Sequence, residues 1–142
     1  MPNTIHLAGD FRLLASLVAA DDDLLPGMLV ALDSDGEIDK HGTQGAVCER
    51  MVVLENALLG GNTTTAYTEG EIISVAIEAP GSESLALLAA GEDVAIGALL
   101  CSKGTGMLEE VSSTYRPVAV ALEACDISDS GDVDTLIKVR WL

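Results

Sequence analysis

The sequence predicts a mainly β protein: a small barrel or sandwich built from two pseudo-repeated hairpin units, with one or two short helical turns and an extended N-terminal arm. Three observations predict it. Glycines punctuate the chain from Gly9 to Gly131, and turn signals at intervals of roughly eight to twelve residues mark an all-β sandwich or barrel. The runs between them are short and aliphatic or β-branched, and several alternate. The segment "PGMLVALDSDGEI" (26–38) also returns as "IGALLCSKGTGML" (96–108), placing Gly27 over Gly97, Leu29 over Leu99, Gly36 over Gly106 and Ile38 over Leu108.

Residues 1–23 are expected to form an N-terminal arm or first strand and a linker. "DFRLLASLVAADDD" (10–23) holds good helix formers and is equally compatible with an extended segment. Residues 24–142 are expected to form a single β-barrel domain. At 142 residues the chain has the length of one ordinary domain, long enough to bury a core without disulfides or metals.

Within that domain "MLVAL" enters the barrel, "DSDG" turns it, and "RMVVLEN" returns, with Glu55 nineteen residues after Gly36. "EIISVAIE" places Ile73, Val75 and Ile77 on one face. "SESLALLAAGED" (82–93) reads as one or two helical turns, with Ser82 or Ser84 as N-cap and Gly91 as the stop. "DVAIGALLC", "PVAVALEA" and "DTLIKVRWL" complete the strands, Glu123 following Gly106 by seventeen residues. The pseudo-repeats, about 26–56 and 96–124, are expected to be halves of one barrel, because a unit this small cannot bury its apolar face alone.

Seven basic against 23 acidic residues give a net charge of −16, spread over both halves of the chain. Nucleic-acid binders carry the opposite footprint, so DNA, RNA and anionic membranes are excluded as expected partners. Cys48, Cys101 and Cys125 are odd in number, widely spaced and set in apolar runs. They read as small buried residues of a reducing compartment. "LLASLVAA" is too short to span a bilayer and lacks the basic region of a signal peptide; synthesis in the cytosol is the expectation.

The search for chemistry yields no expected catalytic residue, cofactor site or metal site. His6 and His41 lie apart from each other and from the cysteines, without metal-ligand spacing. "DSDGEID" and "DISDSGDVD" both fail the twelve-residue calcium loop: with Gly36 as its sixth position the first is Ala31, and with Gly131 as the sixth the twelfth is Ile137. They read as solvated turns. "GGNTTT" lacks the lysine of a phosphate loop, and Ser102, Ser112 and Ser113 have no histidine placed by spacing to activate them. Lys103 lacks the flanks of a biotinyl or lipoyl carrier lysine.

Taken in order, "MPNTIHLAG", "LLPGMLVALDSDGEIDKHGTQG", "VLENALLGG" with "AYTEGE", "LALLAAGEDVAIGALLCSKGTGML" and "PVAVALEACD" resemble the decoration, or cement, proteins of tailed-bacteriophage heads, over residues 1 to about 128. The lambda-type head decoration protein is a more distant analogue. The resemblance implies a non-enzymatic virion protein on the outer capsid surface. It would bridge major capsid subunits against internal DNA pressure and assemble with itself as a homotrimer, or as a dimer. It also gives the N-terminal segment a role. Thr4, Ile5, His6, Leu7 and Phe11 are the expected capsid contacts, adding as a strand to an edge on the shell. The alternative is a non-viral acidic β-barrel that binds or carries a small ligand.

Overall fold

The computed structural model describes residues 4–57, 60–112 and 114–142. Met1 to Asn3, Leu58, Leu59 and Ser113 belong to segments quoted above and lie outside the described residues. The strands are β1 (His6–Ala8), β2 (Phe11–Val18), β3 (Val30–Leu32), β4 (Ile38–Lys40), β5 (Met51–Val53), β6 (Ile72–Glu78), β7 (Glu83–Leu88), β8 (Asp93–Val94), β9 (Leu99–Ser102), β10 (Leu108–Glu110), β11 (Ala119–Ala121), β12 (Cys125–Asp126) and β13 (Thr135–Trp141).

The chain is a β-barrel protein, as its composition and turns predict. Strands β7, β10, β9, β11 and β13 follow one another, and β13 pairs back onto β7, closing a five-stranded circuit. Alternate residues of each strand fill it: Ala86 and Leu88 from β7, Leu100 from β9, Leu108 from β10, Ala119 and Ala121 from β11, Ile137 and Val139 from β13. Trp141 closes one end, its indole N–H donating to Ser84 Oγ at 2.7 Å.

The first half of the chain runs through the same circuit. β2, β6 and β5 form one sheet and β3 with β4 a hairpin. A bridge between Leu29 and Val52 joins β3 to β5, and a parallel bridge between Ala19 and Ile38 joins the end of β2 to β4. Its interior holds Leu24, Met28, Val30, Ile38, Met51, Val53, Ile73 and Val75, with Tyr67 donating its hydroxyl to Leu54 O at 2.9 Å.

The repeat is therefore deeper than a hairpin. Val30 pairs with Lys40 and Leu32 with Ile38; seventy residues on, Leu100 pairs with Glu110 and Ser102 with Leu108. Asp33 N–H bonds Glu37 O as Lys103 N–H bonds Met107 O, and Gly27 N–H bonds Val53 O as Gly97 N–H bonds Ala121 O. The two hairpins are not halves of one barrel, as the sequence reading expected. Each sits in its own circuit, because β2 and β6 complete the first and β7 and β13 the second. The helical turns expected in 82–93 are corrected in the same way. This stretch begins with β7, whose Ala86 and Leu88 face the barrel interior while Leu87, on the other face, packs into the first core; Leu85 is buried as well. A strand buried on both faces reads as a continuous apolar run, which periodicity cannot tell from a helix.

The two barrels share a wall. On β5, Met51 and Val53 enter the first core while Val52 enters the second, and Leu29 and Ala76 reach across likewise from β3 and β6. Each large aliphatic side chain buried there contributes about 1.5–3 kcal/mol, which explains why "RMVVLEN" is apolar at successive positions. The interlock is tight at Gly27: its carbonyl accepts from Leu87 N–H at 2.9 Å, and a Cβ there would lie 2.4 Å from Leu136 Cδ2.

Candidate functional site

The sequence-expected contact residues gather around β1. This strand adds antiparallel to β7, His6 opposite Ser84 and Ala8 opposite Glu83, and Ile5 O accepts from Leu85 N–H at 2.8 Å. One side of residues 5–8 is thus paired to the chain's own barrel, and β1 stands at the edge of that sheet. Ile5 has no exposed surface and lies in the second core, its N–H donating to Glu55 Oε2 at 2.8 Å. It is not available to an outside partner. Thr4, Leu7 and Phe11 are exposed, and the Phe11 ring packs at a tilt on His6 with centroids 4.3 Å apart.

His6 is the centre of a polar cluster. Its Nδ1 lies 3.0 Å from both carboxylate oxygens of Glu78, and its Nε2 lies 3.0 Å from Gly9 O. Glu78 is fully buried; its other partner is the hydroxyl of Ser82, which donates to Oε2 at 2.9 Å. Arg50 Nε holds the Glu78 carbonyl at 2.7 Å. The serine meets the carboxylate and not the imidazole, so the arrangement lacks the base-to-hydroxyl contact that activates a nucleophile. It ties β1, the end of β6 and the start of β7 together.

A second cluster, unread in the sequence, joins the two repeats. His41 Nδ1 lies 2.6 Å from Ser102 Oγ, which also accepts from Gly104 N–H at 3.1 Å. A hydroxyl that accepts there still has its own proton to give, and His41 Nδ1 is within its reach. Burial pulls the His41 pKa below its ordinary value, against a smaller opposing effect of the Val47 carbonyl, so the ring suits the neutral, accepting role. The geometry is that of a serine–histidine pair, but Ser102 has no exposed surface. The only sequence signal was the aligned hairpin itself, since 61 residues separate the partners.

The cysteines are free. Cys101 is fully enclosed, and burial, followed by the charges of Glu109 and Glu92, pushes its thiol up to about 11; burial raises Cys48 and Cys125 as well. The acidic turns consume their own carboxylates. Asp33 Oδ1 accepts from Asp35 and Glu37 N–H, each at 2.9 Å, and Asp126 Oδ1 from Ser128 N–H at 3.1 Å. Ser112 is exposed, and Lys103 sits half-buried in the β9–β10 turn. Among the described residues no group of three or more histidine, cysteine, aspartate or glutamate side chains is placed to hold a metal ion.

A cleft of about 420 Å³ opens where the barrels meet, lined by Leu25, Pro26, Leu87 and Leu136 with Thr63, Thr64, Asp134 and Thr135. Asp134 is engaged there, accepting from Ala90 N–H at 2.8 Å. A scan against protein-family models finds no match for the chain, and neither does a search of curated proteins.

Proposed function

We propose that the chain is a structural protein of a tailed-phage head. It is made in the host cytoplasm and carried on the outer capsid surface, where it bridges major capsid subunits as a homotrimer. The observation that carries this reading is the ordered resemblance from residue 1 to about 128 to head decoration proteins. The fold supports it physically. Two closed barrels with a shared, tightly packed wall resist deformation, as a clamp against internal pressure must, and apolar side chains such as Leu7, Phe11 and Leu13 stand exposed near the N-terminus for contact with a protein surface. One side of β1 is paired internally, so the shell contact is made by the exposed side chains of Thr4, Leu7 and Phe11 and by the outer edge of β1.

The protein, mixed with heads that lack it, should co-sediment with them and raise the temperature at which they burst. Absence of co-sedimentation at micromolar concentration across a range of salt overturns the proposal. One observation favours a second reading, a non-viral acidic barrel that carries a small ligand: the apolar cleft beside Leu87 and Leu136 is large enough for one. That reading predicts a bound apolar molecule in material purified without denaturation.

A further inference from the structure

The two barrels of one chain bury a contact whose two halves are each repeated, uncovered, on the opposite barrel. On the first barrel, Leu29, Val52 and Ala76 form a row of cross-strand partners over β3, β5 and β6, and each is at most 1% exposed under the second barrel. The equivalent row on the second barrel is Leu99, Val120 and Arg140, cross-strand partners over β9, β11 and β13. Leu99 is 45% exposed there and Ile96 beside it 70%.

The receiving half behaves in the same way. On the second barrel the pair Leu87–Leu136 lies one step beyond the inward pair Ala86–Ile137 and is packed by Gly27. On the first barrel the pair Val18–Ile72 lies one step beyond the inward pair Leu17–Ile73, and Ile72 is 60% exposed. Ala19 N–H bonds Glu71 O, so the neighbouring Val18 N–H points away from β6, as Leu87 N–H points at Gly27 O.

We infer that copies of this chain join head to tail, the Leu99–Val120–Arg140 row of one copy seating on the Val18–Ile72 face of the next, with Gly97 O accepting from Val18 N–H. The contact repeats between chains the one already built within the chain. Charge favours this pair of faces. Residues 11–20 and 94–108 contain no acidic side chain in a protein of net charge −16, so these two stretches add no acidic repulsion to the contact. Arg140 stands in the donor row, and Asp21, Asp22 and Asp23 follow the receiving strand. A heterologous contact of this kind forms a ring if its rotation closes; three copies give a ring of six barrels. The number three rests on the capsid reading, whereas the contact rests on the internal repeat alone.

Light scattering coupled to size exclusion tests it with the full chain and the variants Leu99→Asp and Ile72→Asp, both on exposed side chains, their folding checked by circular dichroism. Wild type should elute at three times the 14.7 kDa chain mass, and each variant alone as a monomer. Mixed together, the two variants should form a dimer and nothing larger, because Ile72→Asp keeps an intact donor face and Leu99→Asp an intact receiving face. A monomeric wild type, variants that keep the wild-type mass, or a mixture that stays monomeric overturns the contact. A ring of another size that both variants dissolve overturns the number three and leaves the contact standing. Head binding is read separately by sedimentation, so a ring that binds no head fails the capsid reading only.

Discussion

His6 and Glu78 face each other at 3.0 Å across 72 residues of sequence, tying β1 to the end of β6. The His6 Nδ1 atom touches both carboxylate oxygens, and Nε2 reaches Gly9 O. A buried carboxylate so partnered is stable; one left without its partner is not.

His6→Ala should accordingly cost about 3 kcal/mol, measured by denaturant unfolding, because it strands a fully buried carboxylate with only the Ser82 hydroxyl. A local readout separates this from a general loss of packing. Leu85 N–H, held by Ile5 O, should exchange with solvent faster in His6→Ala than amides on β11. Adding Glu78→Gln to His6→Ala should restore part of the loss by removing the stranded charge. Unchanged exchange at Leu85 would show that β1 is held by Ile5 burial alone.

The His41–Ser102 pair predicts a pH dependence. Burial holds the His41 pKa below 6.5 in the folded protein. Between that lowered value and 6.5 the unfolded chain binds more protons than the folded one. Stability therefore rises with pH through this window and is lost as pH falls through it. The denaturation midpoint of wild type should drop between about pH 7 and about pH 5 more steeply than that of His41→Gln. The many surface carboxylates titrate alike in both proteins, so the difference isolates His41, and parallel curves would remove it as the cause.

What the sequence disclosed and what it hid follow from the same physics. The glycines and aliphatics of the two hairpins align because both must turn and fill a barrel in the same way, and the acidic residues of the first hairpin differ in the second because they lie in the turn, outside the core. β2 and β7 are equivalent strands, yet "FRLLASLV" and "ESLALL" show no alignment: one has an open outer face and a register shift between Leu14 and Leu17, the other is covered on both faces. The cover on β7 also made it look helical, since Leu and Ala are strong helix formers and no alternation survives double burial. Nothing local marks Glu78 in "AIEAP" or Ser102 in "LLCSKG" as polar anchors, because their histidines arrive from 72 and 61 residues away. The N-terminal segment looked unpaired for the same reason, its partner β7 lying more than seventy positions on.

Gly27 and Gly97 give the most discriminating comparison, since the repeat aligns them and the fold gives them opposite surroundings. Both have left-handed backbone, with φ of 90° and 87°, so alanine at either should cost about 1–2 kcal/mol from conformation. At Gly97 a Cβ meets nothing within 4 Å, whereas at Gly27 it meets Leu136 Cδ2 at 2.4 Å between two packed barrels. Overpacking adds about 1–3 kcal/mol, so Gly27→Ala should be the more destabilising by that amount. The comparison belongs in Leu99→Asp chains, where copies stay apart and Gly97 faces only solvent. In the wild-type background Gly97→Ala should also weaken the ring, because its Cβ would then press on Ile72 of the next copy as a Cβ at Gly27 would press on Leu136. Equal losses for the two glycines in Leu99→Asp chains would mean that the shared wall yields more easily than its packing implies.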